Sequence, residues 1–242
     1  MLEQDIEIET DAGSMNTFVT RPEEGGPHPV VFFYMDAPGK REELHDMARR
    51  IASVGYFVVL PNLYYRQVRD FRLVRDEAGM AKMFEFMRAL SIEMVMQDTA
   101  AMFKYIRSQP DADATRIGAV GYCMSGPFVL AAAARYPGEF KCVASIYGAN
   151  LVTDRPDSPH LNLAPIKADV YVACAETDKW APPEVIATLE EHLKAAHTQY
   201  RLEWYPGAEH GFAFPKREGI YHRQSAERHW ERLFAQFRAY LS

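Results

Sequence analysis

Residues 116–126 read Arg-Ile-Gly-Ala-Val-Gly-Tyr-Cys-Met-Ser-Gly, and Pro-Phe-Val-Leu-Ala-Ala-Ala-Ala-Arg carries the chain on to residue 135. Arg116 to Val120 has the apolar character of a buried strand, and Ser125 to Tyr136 has helical character. A strand therefore passes into a helix through Gly121-Tyr122-Cys123-Met124-Ser125-Gly126. The two elements nearly touch at such a turn, so its flanks must be small. Gly121 and Ser125 meet that demand two positions either side of Cys123, and Gly126 adds room. The apex residue is lifted above the sheet, which makes Cys123 the candidate nucleophile. It would sit at a helix N-terminus, where free N–H groups and the dipole favour a thiolate. The N–H of Met124 would be one donor to a developing oxyanion. Ser125 falls in the first helical turn and is a poor rival. A phosphate-binding loop is the competing reading of such a turn, but the G-x-G-x-x-G spacing is absent.

Upstream of this turn, Ile6 to Thr10 and Met15 to Thr20 alternate about Asp11-Ala12-Gly13 and read as an antiparallel hairpin. Val30 to Tyr34 is a continuous apolar run, as expected of a strand buried on both faces. Arg41 to Val54 reads as a helix, with Leu44, Met47, Ala48 and Ile51 at helical spacing, and Tyr56 to Leu60 as a strand. Residues 63–98 are charged, rich in Arg and Met, and helical in pieces; as an insertion they are a candidate cover for an active site. Gln97 to Arg107 reads as a helix. Downstream, Val143 to Tyr147, Val170 to Ala175 and Arg201 to Tyr205 read as strands, and Pro183 to Ala196 and Gln224 to Leu241 as helices. The expected fold class is α/β, a single domain over 1–242 with a mostly parallel central sheet, helices on both faces and an N-terminal antiparallel hairpin.

The 242 residues, 48% hydrophobic and 25% charged, suffice for a full core without staples. A net charge of −6 gives no electrostatic support to nucleic-acid binding. No 18-residue apolar run and no signal-peptide pattern stand in the sequence, so no membrane role and a cytoplasmic location are expected. Three scattered cysteines do not make a disulfide framework, and Cys142 and Cys174 read as buried strand residues. No H-E-x-x-H and no cysteine pair at zinc spacing occur, so neither metal nor cofactor is expected.

A nucleophile on such an elbow takes its acid and its histidine from later loops, in that order. The strand Val170 to Ala175 runs into Glu176-Thr177-Asp178, ahead of a helix marked by Pro182-Pro183. Asp178 is the candidate acid, with Glu176 as its rival. Leu202 to Tyr205 runs into Pro206-Gly207-Ala208-Glu209-His210-Gly211-Phe212, and the two glycines leave that loop free to place His210 over the sheet edge. The other seven histidines have no comparable context.

Gly-Tyr-Cys-Met-Ser-Gly at 121–126 resembles the G-Y-C-x-G-G elbow of dienelactone hydrolases (carboxymethylenebutenolidases), α/β-hydrolases. The resemblance extends to Tyr34-Met35-Asp36-Ala37-Pro38-Gly39, Leu60-Pro61-Asn62-Leu63-Tyr64, Glu176-Thr177-Asp178 and Ala208-Glu209-His210-Gly211-Phe212. It implies an α/β-hydrolase fold and a triad of Cys123, His210 and Asp178. It also implies an acidic residue that contacts the thiol, here Asp36 where the family has Glu, and a second oxyanion donor, the N–H of Ala37. Phe214 stands where the family carries a carboxylate-binding arginine. Tyr64, Tyr122, Trp180 and Phe214 are the candidate substrate-binding side chains. Arg66, Arg69, Arg72 and Arg75 are candidates for a replacement clamp.

The expected chemistry is two-step acyl transfer through a cysteine acyl-enzyme on a small ester or lactone. A general carboxylesterase or thioesterase on the same scaffold is the alternative among enzymes. A catalytically silent binder of a small ligand is the alternative from another class. The oligomeric state is left open by the sequence.

Overall fold

Two chains of alternating residues meet at Gly13, whose φ of +122° closes a tight turn that an L side chain would strain. Strands β1 (Leu2–Thr10) and β2 (Gly13–Arg21) pair antiparallel from Leu2↔Arg21 to Thr10↔Gly13. The apolar run expected to be buried on both faces lies in β3 (His28–Tyr34), where Val30 to Tyr34 are all buried. Helix α1 (Glu42–Ala52) follows, with acidic Glu42 and Glu43 in its first turn and Arg49 and Arg50 in its last, each complementing the helix dipole. Strand β4 (Phe57–Pro61) pairs parallel with β3 and antiparallel with β2, giving the order β1-β2-β4-β3.

The computed structural model describes all 242 residues and divides the chain into two compact units, Met1–Ile117 and Gly118–Ser242. The first unit closes with α2 (Glu77–Ala89) and α3 (Ile92–Arg107). The division falls inside strand β5 (Ala112–Tyr122). In the second unit the strands β5, β6 (Phe140–Ile146), β7 (Asp169–Thr177) and β8 (Tyr200–Glu209) follow in that order, with β6, β7 and β8 parallel. Helices α4 (Gly126–Arg135), α5 (Pro183–Ala195) and α6 (Arg223–Leu241) connect and close them. No helix is long and apolar enough to cross a membrane.

The structure differs from the sequence reading at several element ends, and two of them have a visible cause. Helix α3 begins at Ile92, five residues before Gln97, because the Ser91 side chain accepts the N–H of Met94 and caps the extra turn. Strand β8 continues to Glu209 instead of ending at Tyr205. An irregularity between Ala175 and Thr177 restores the pairing as Thr177↔Glu209. Gly207, at φ +73°, gives its N–H to the Glu176 carboxylate (2.7 Å), so the backbone group that leaves the ladder keeps a partner.

Residues 62–76, which carry the four arginines, form turns and irregular chain, and the helical part of 63–98 begins at Glu77. Asp98 of α3, fully buried, accepts both arms of Arg66 (2.8 Å each) and the Tyr65 hydroxyl (2.8 Å). Arg69 pairs with Glu7, and Arg72 and Arg75 are exposed. The Arg66–Asp98 fork therefore ties this segment to α3. Removing one partner strands a buried charge, a loss on the order of 3 kcal/mol. Asp98→Ala should lower the melting temperature by about 6–12 °C for a chain of this size. A thermal melt within a degree or two of wild type would show that the fork does not hold the segment.

Candidate active site

Cys123 sits at the join of β5 and a 3₁₀ turn (Cys123–Ser125) that leads into α4, and its φ is +53°. A β-carbon-bearing residue pays conformational energy there, so the surrounding structure must enforce it. The enforcement is steric and visible in the glycines. A Cβ on Gly121 would lie 2.3 Å from the Ser125 carbonyl oxygen, and one on Gly126 would lie 2.3 Å from Gly148 Cα and 2.6 Å from Ser145 Oγ. The carbonyl of Cys123 is held by two N–H groups, from Gly126 and from Ala149 (2.9 Å). Cys123 itself is half-buried, and Met124 is buried behind it.

The partners converge within the same unit. His210 follows β8 directly, its backbone N–H bonded to the Thr177 carbonyl (3.2 Å), which aligns it with the end of β7. Its Nδ1 lies 2.7 Å from Asp178 Oδ2. Asp178 is fixed in turn, because its Oδ1 accepts the N–H groups of Trp180 (2.8 Å) and Ala181 (3.3 Å). A carboxylate only accepts, so Nδ1 carries the proton and Nε2 is left for the thiol side. Nε2 is buried with no partner at ordinary hydrogen-bond geometry, while the Cys123 sulfur lies close enough to favour the charged ring. Burial of the imidazole opposes its charge, yet Asp178 and Cys123 outweigh it, and the ring is pushed up to about 9. The rival acid, Glu176, is exposed and engaged by Gly207 instead.

The other two thiols contrast with this. Burial pushes Cys174 up to about 12 and also raises Cys142, so neither is a nucleophile near neutral pH.

The remaining candidates fall differently. Tyr122 and Phe214 are fully buried: the Tyr122 hydroxyl bonds His229 Nε2 (3.0 Å), and the two rings pack 5.6 Å apart. Both pack behind the elbow, within an aromatic cluster that includes Tyr147 and His229. Tyr64 is likewise buried, packed against Phe71 and Phe86, with its hydroxyl donating to the Ala37 carbonyl (2.9 Å). Trp180 is 41% exposed beside Asp178, with Lys179 over its ring. Asp36 is buried and both its oxygens are taken by Arg41 (2.5 and 3.2 Å), which also binds Glu43 (2.8 Å). Burial disfavours the Arg41 charge, but the two carboxylates hold it firmly protonated.

One residue of the site has no signal in the motifs. Tyr147, at the end of β6 with φ +37°, lays its ring edge-on to His210 (5.2 Å between centroids) and to Phe212 (5.0 Å). Its place at the C-terminal end of a buried strand, followed by glycine, is the feature that would have found it.

A parallel sheet with helices and a half-buried cysteine lifted on a strand–turn–helix elbow are the features of an α/β-hydrolase. The dienelactone hydrolase family model matches residues 15–241, and the chain belongs to that family. A protein of Methylorubrum extorquens, provisionally named a carboxymethylenebutenolidase, is 29% identical over 240 residues, which cover 98% of this chain and 80% of that one. A second, from Escherichia coli K12 and named in the same way, is 27% identical over 96% of this chain and 85% of its own. The crystal structure of a provisionally named dienelactone hydrolase from Klebsiella pneumoniae superposes with a TM-score of 0.90 at 25% identity, covering 99% of each chain. A dienelactone hydrolase-like promiscuous phosphotriesterase from metagenomic libraries shares the fold at a TM-score of 0.83 and 18% identity, over 100% of this chain and 99% of its own.

A folded-state value raised from 6.5 to about 9 stabilises the protein fully below pH 6.5, and that contribution is lost as the pH climbs through about 9. An NMR titration of the His210 ring should give a midpoint near 9 in the wild type and a lower one in Asp178→Asn. The stability gap between the two proteins should narrow between pH 6.5 and 9. An unshifted His210 midpoint in the variant would disprove the coupling.

Proposed function

We propose that this hydrolase cleaves a lactone or an activated carboxylic ester through a thioester on Cys123. The observation that carries the reading is the buried His210, bonded to Asp178 and biased toward its charged form beside a thiol on a strained elbow. In the first step the Cys123 thiolate adds to the carbonyl carbon, and the N–H of Met124 is the oxyanion donor that this unit contributes. The C–O bond breaks, and the departing oxygen takes the proton held on His210. In the second step neutral His210 draws a proton from water, the hydroxide adds to the thioester, and the carboxylic acid leaves as the thiolate returns. Asp178 holds the ring in one tautomer and offsets its charge throughout. Trp180, exposed beside the acid, is the side chain of the original set that can meet a substrate here.

The thiolate is itself a good leaving group, so the tetrahedral adduct of a simple alkyl ester tends to revert. An enolate or phenolate is expelled more readily, which favours activated lactones and aryl esters over amides. A thioester substrate satisfies the same rule and is the second reading.

Rapid mixing with an activated aryl ester should release about one equivalent of phenol in a burst, with the acyl mass on the peptide that contains Cys123. Cys123→Ala should abolish the burst, and Asp178→Asn should slow turnover by about 10³–10⁴-fold. Saturable ligand binding with no burst and no acyl adduct would replace the enzyme reading with that of a silent binder.

A further inference from the structure

The second unit carries a cavity of about 250 Å³ at the end of its strands opposite to His210. Asp169 opens β7, Tyr171 follows two residues on, and Arg201 is the second residue of β8. Arg232, Gln236 and Tyr240 line the same cavity from α6. Strand β8 runs from this wall to Glu209, just before His210, at about 3.3 Å per residue, so roughly 25 Å separates the cavity from the imidazole loop.

One carboxylate sets the chemistry of the wall. Glu203, buried in β8, answers three guanidinium groups. Arg228 bonds its Oε1, while Arg201 Nη2 (3.2 Å) and Arg232 Nε (3.4 Å) both approach Oε2. The Tyr171 hydroxyl donates to that same Oε2 (3.2 Å). Three positive charges against one negative leave an excess that Glu203 does not balance. Glu231 bonds Arg232 Nη1 (3.0 Å), but it stands exposed on α6, where solvent weakens the pair. Asp169, in the cavity wall, is already engaged: its Oδ1 accepts the Gln236 amide (2.7 Å) and its Oδ2 the Tyr240 hydroxyl (3.1 Å).

Arg201 and Arg232 thus converge on a single oxygen, one from a strand and one from a helix, beside an open cavity. Each guanidinium carries five N–H donors, more than half of one carboxylate can satisfy. A group whose oxygens point in several directions accepts from both at once, and a dianion offsets the surplus charge. A phosphate group has both properties, and a planar, singly charged carboxylate has neither. The space is ample, since a water molecule takes roughly 30 Å³.

We propose that this cavity is a binding site for a phosphate group, held between Arg201 and Arg232 and separate from Cys123 and His210. The ligand is inorganic phosphate or a small phosphomonoester. The site stands independently of the acyl-transfer reading.

The test is calorimetric titration of the whole chain at constant ionic strength, with inorganic phosphate and with phenyl phosphate. The wild type should bind with a dissociation constant of about 1 mM or below. Arg201→Gln and Arg232→Gln should each weaken binding by about tenfold or more. Arg155→Gln, which removes an exposed cation paired with Asp157 elsewhere in the unit, should stay within about twofold. If Arg232→Gln does not fold, Arg201→Gln at the exposed start of β8 decides alone. Phenyl phosphate binding about tenfold tighter identifies a phosphomonoester as the ligand, and equal affinities identify inorganic phosphate; both support the site. Absence of saturable binding of either probe below about 10 mM overturns it, as does an equal loss in Arg155→Gln. Alkylation of Cys123 by iodoacetamide should proceed at the same rate with and without phosphate. Protection of the thiol would put the anion at the elbow and overturn the assignment.

Discussion

The tightest constraint in this molecule is steric and lies behind Cys123. Gly126 and Gly148 approach so closely that a single added carbon on either would meet the other's Cα or the Ser145 hydroxyl. That approach lets α4 start directly at the end of β5 and leaves Cys123 at the apex with a positive φ. The strained conformation is not a local preference of the sequence. It is imposed by a strand and a helix whose own packing leaves no alternative. The placement of the sulfur beside the imidazole inherits its geometry from it.

Given a fixed sulfur, the chemistry becomes a question of where charge is tolerated. All three cysteines share one intrinsic acidity, and the fold separates them by environment. Cys142 and Cys174 are enclosed by strands and have no cation nearby, so burial holds them as thiols. Cys123 is half-exposed and faces a histidine whose charge is supported by a buried carboxylate. The carboxylate is immobilised by two backbone N–H groups before it meets the ring, so little reorganisation is left to the reaction itself.

Much of this was legible in the sequence because it is local or ordered along the chain. The elbow is six consecutive residues, and the acid and the histidine follow successive strands. The hairpin, the buried β3 and the amphipathic helices obey short periods that a linear reading detects. What stayed hidden depends on side-chain pairs that no sequence period announces. Arg66 reads as a solvated cation until Asp98, 32 residues on, is seen to be buried beneath it. Asp36 reads as a free acid until Arg41 closes on both its oxygens. Tyr122 and Phe214 flank the motifs that matter, yet face into an aromatic cluster that no periodicity announces.

The contact between Tyr122 and His229 spans 107 residues. His229 donates its Nδ1 proton to the Ala226 carbonyl inside α6, which leaves Nε2 as the acceptor for Tyr122, and that acceptor is in place only once the helix has formed. On a ribosome, Cys123 is therefore synthesised long before the support behind it. A nascent chain that has exposed the elbow but not α6 holds a thiol without its finished surroundings. The order of synthesis thus delays completion of the elbow's backing until α6 has emerged.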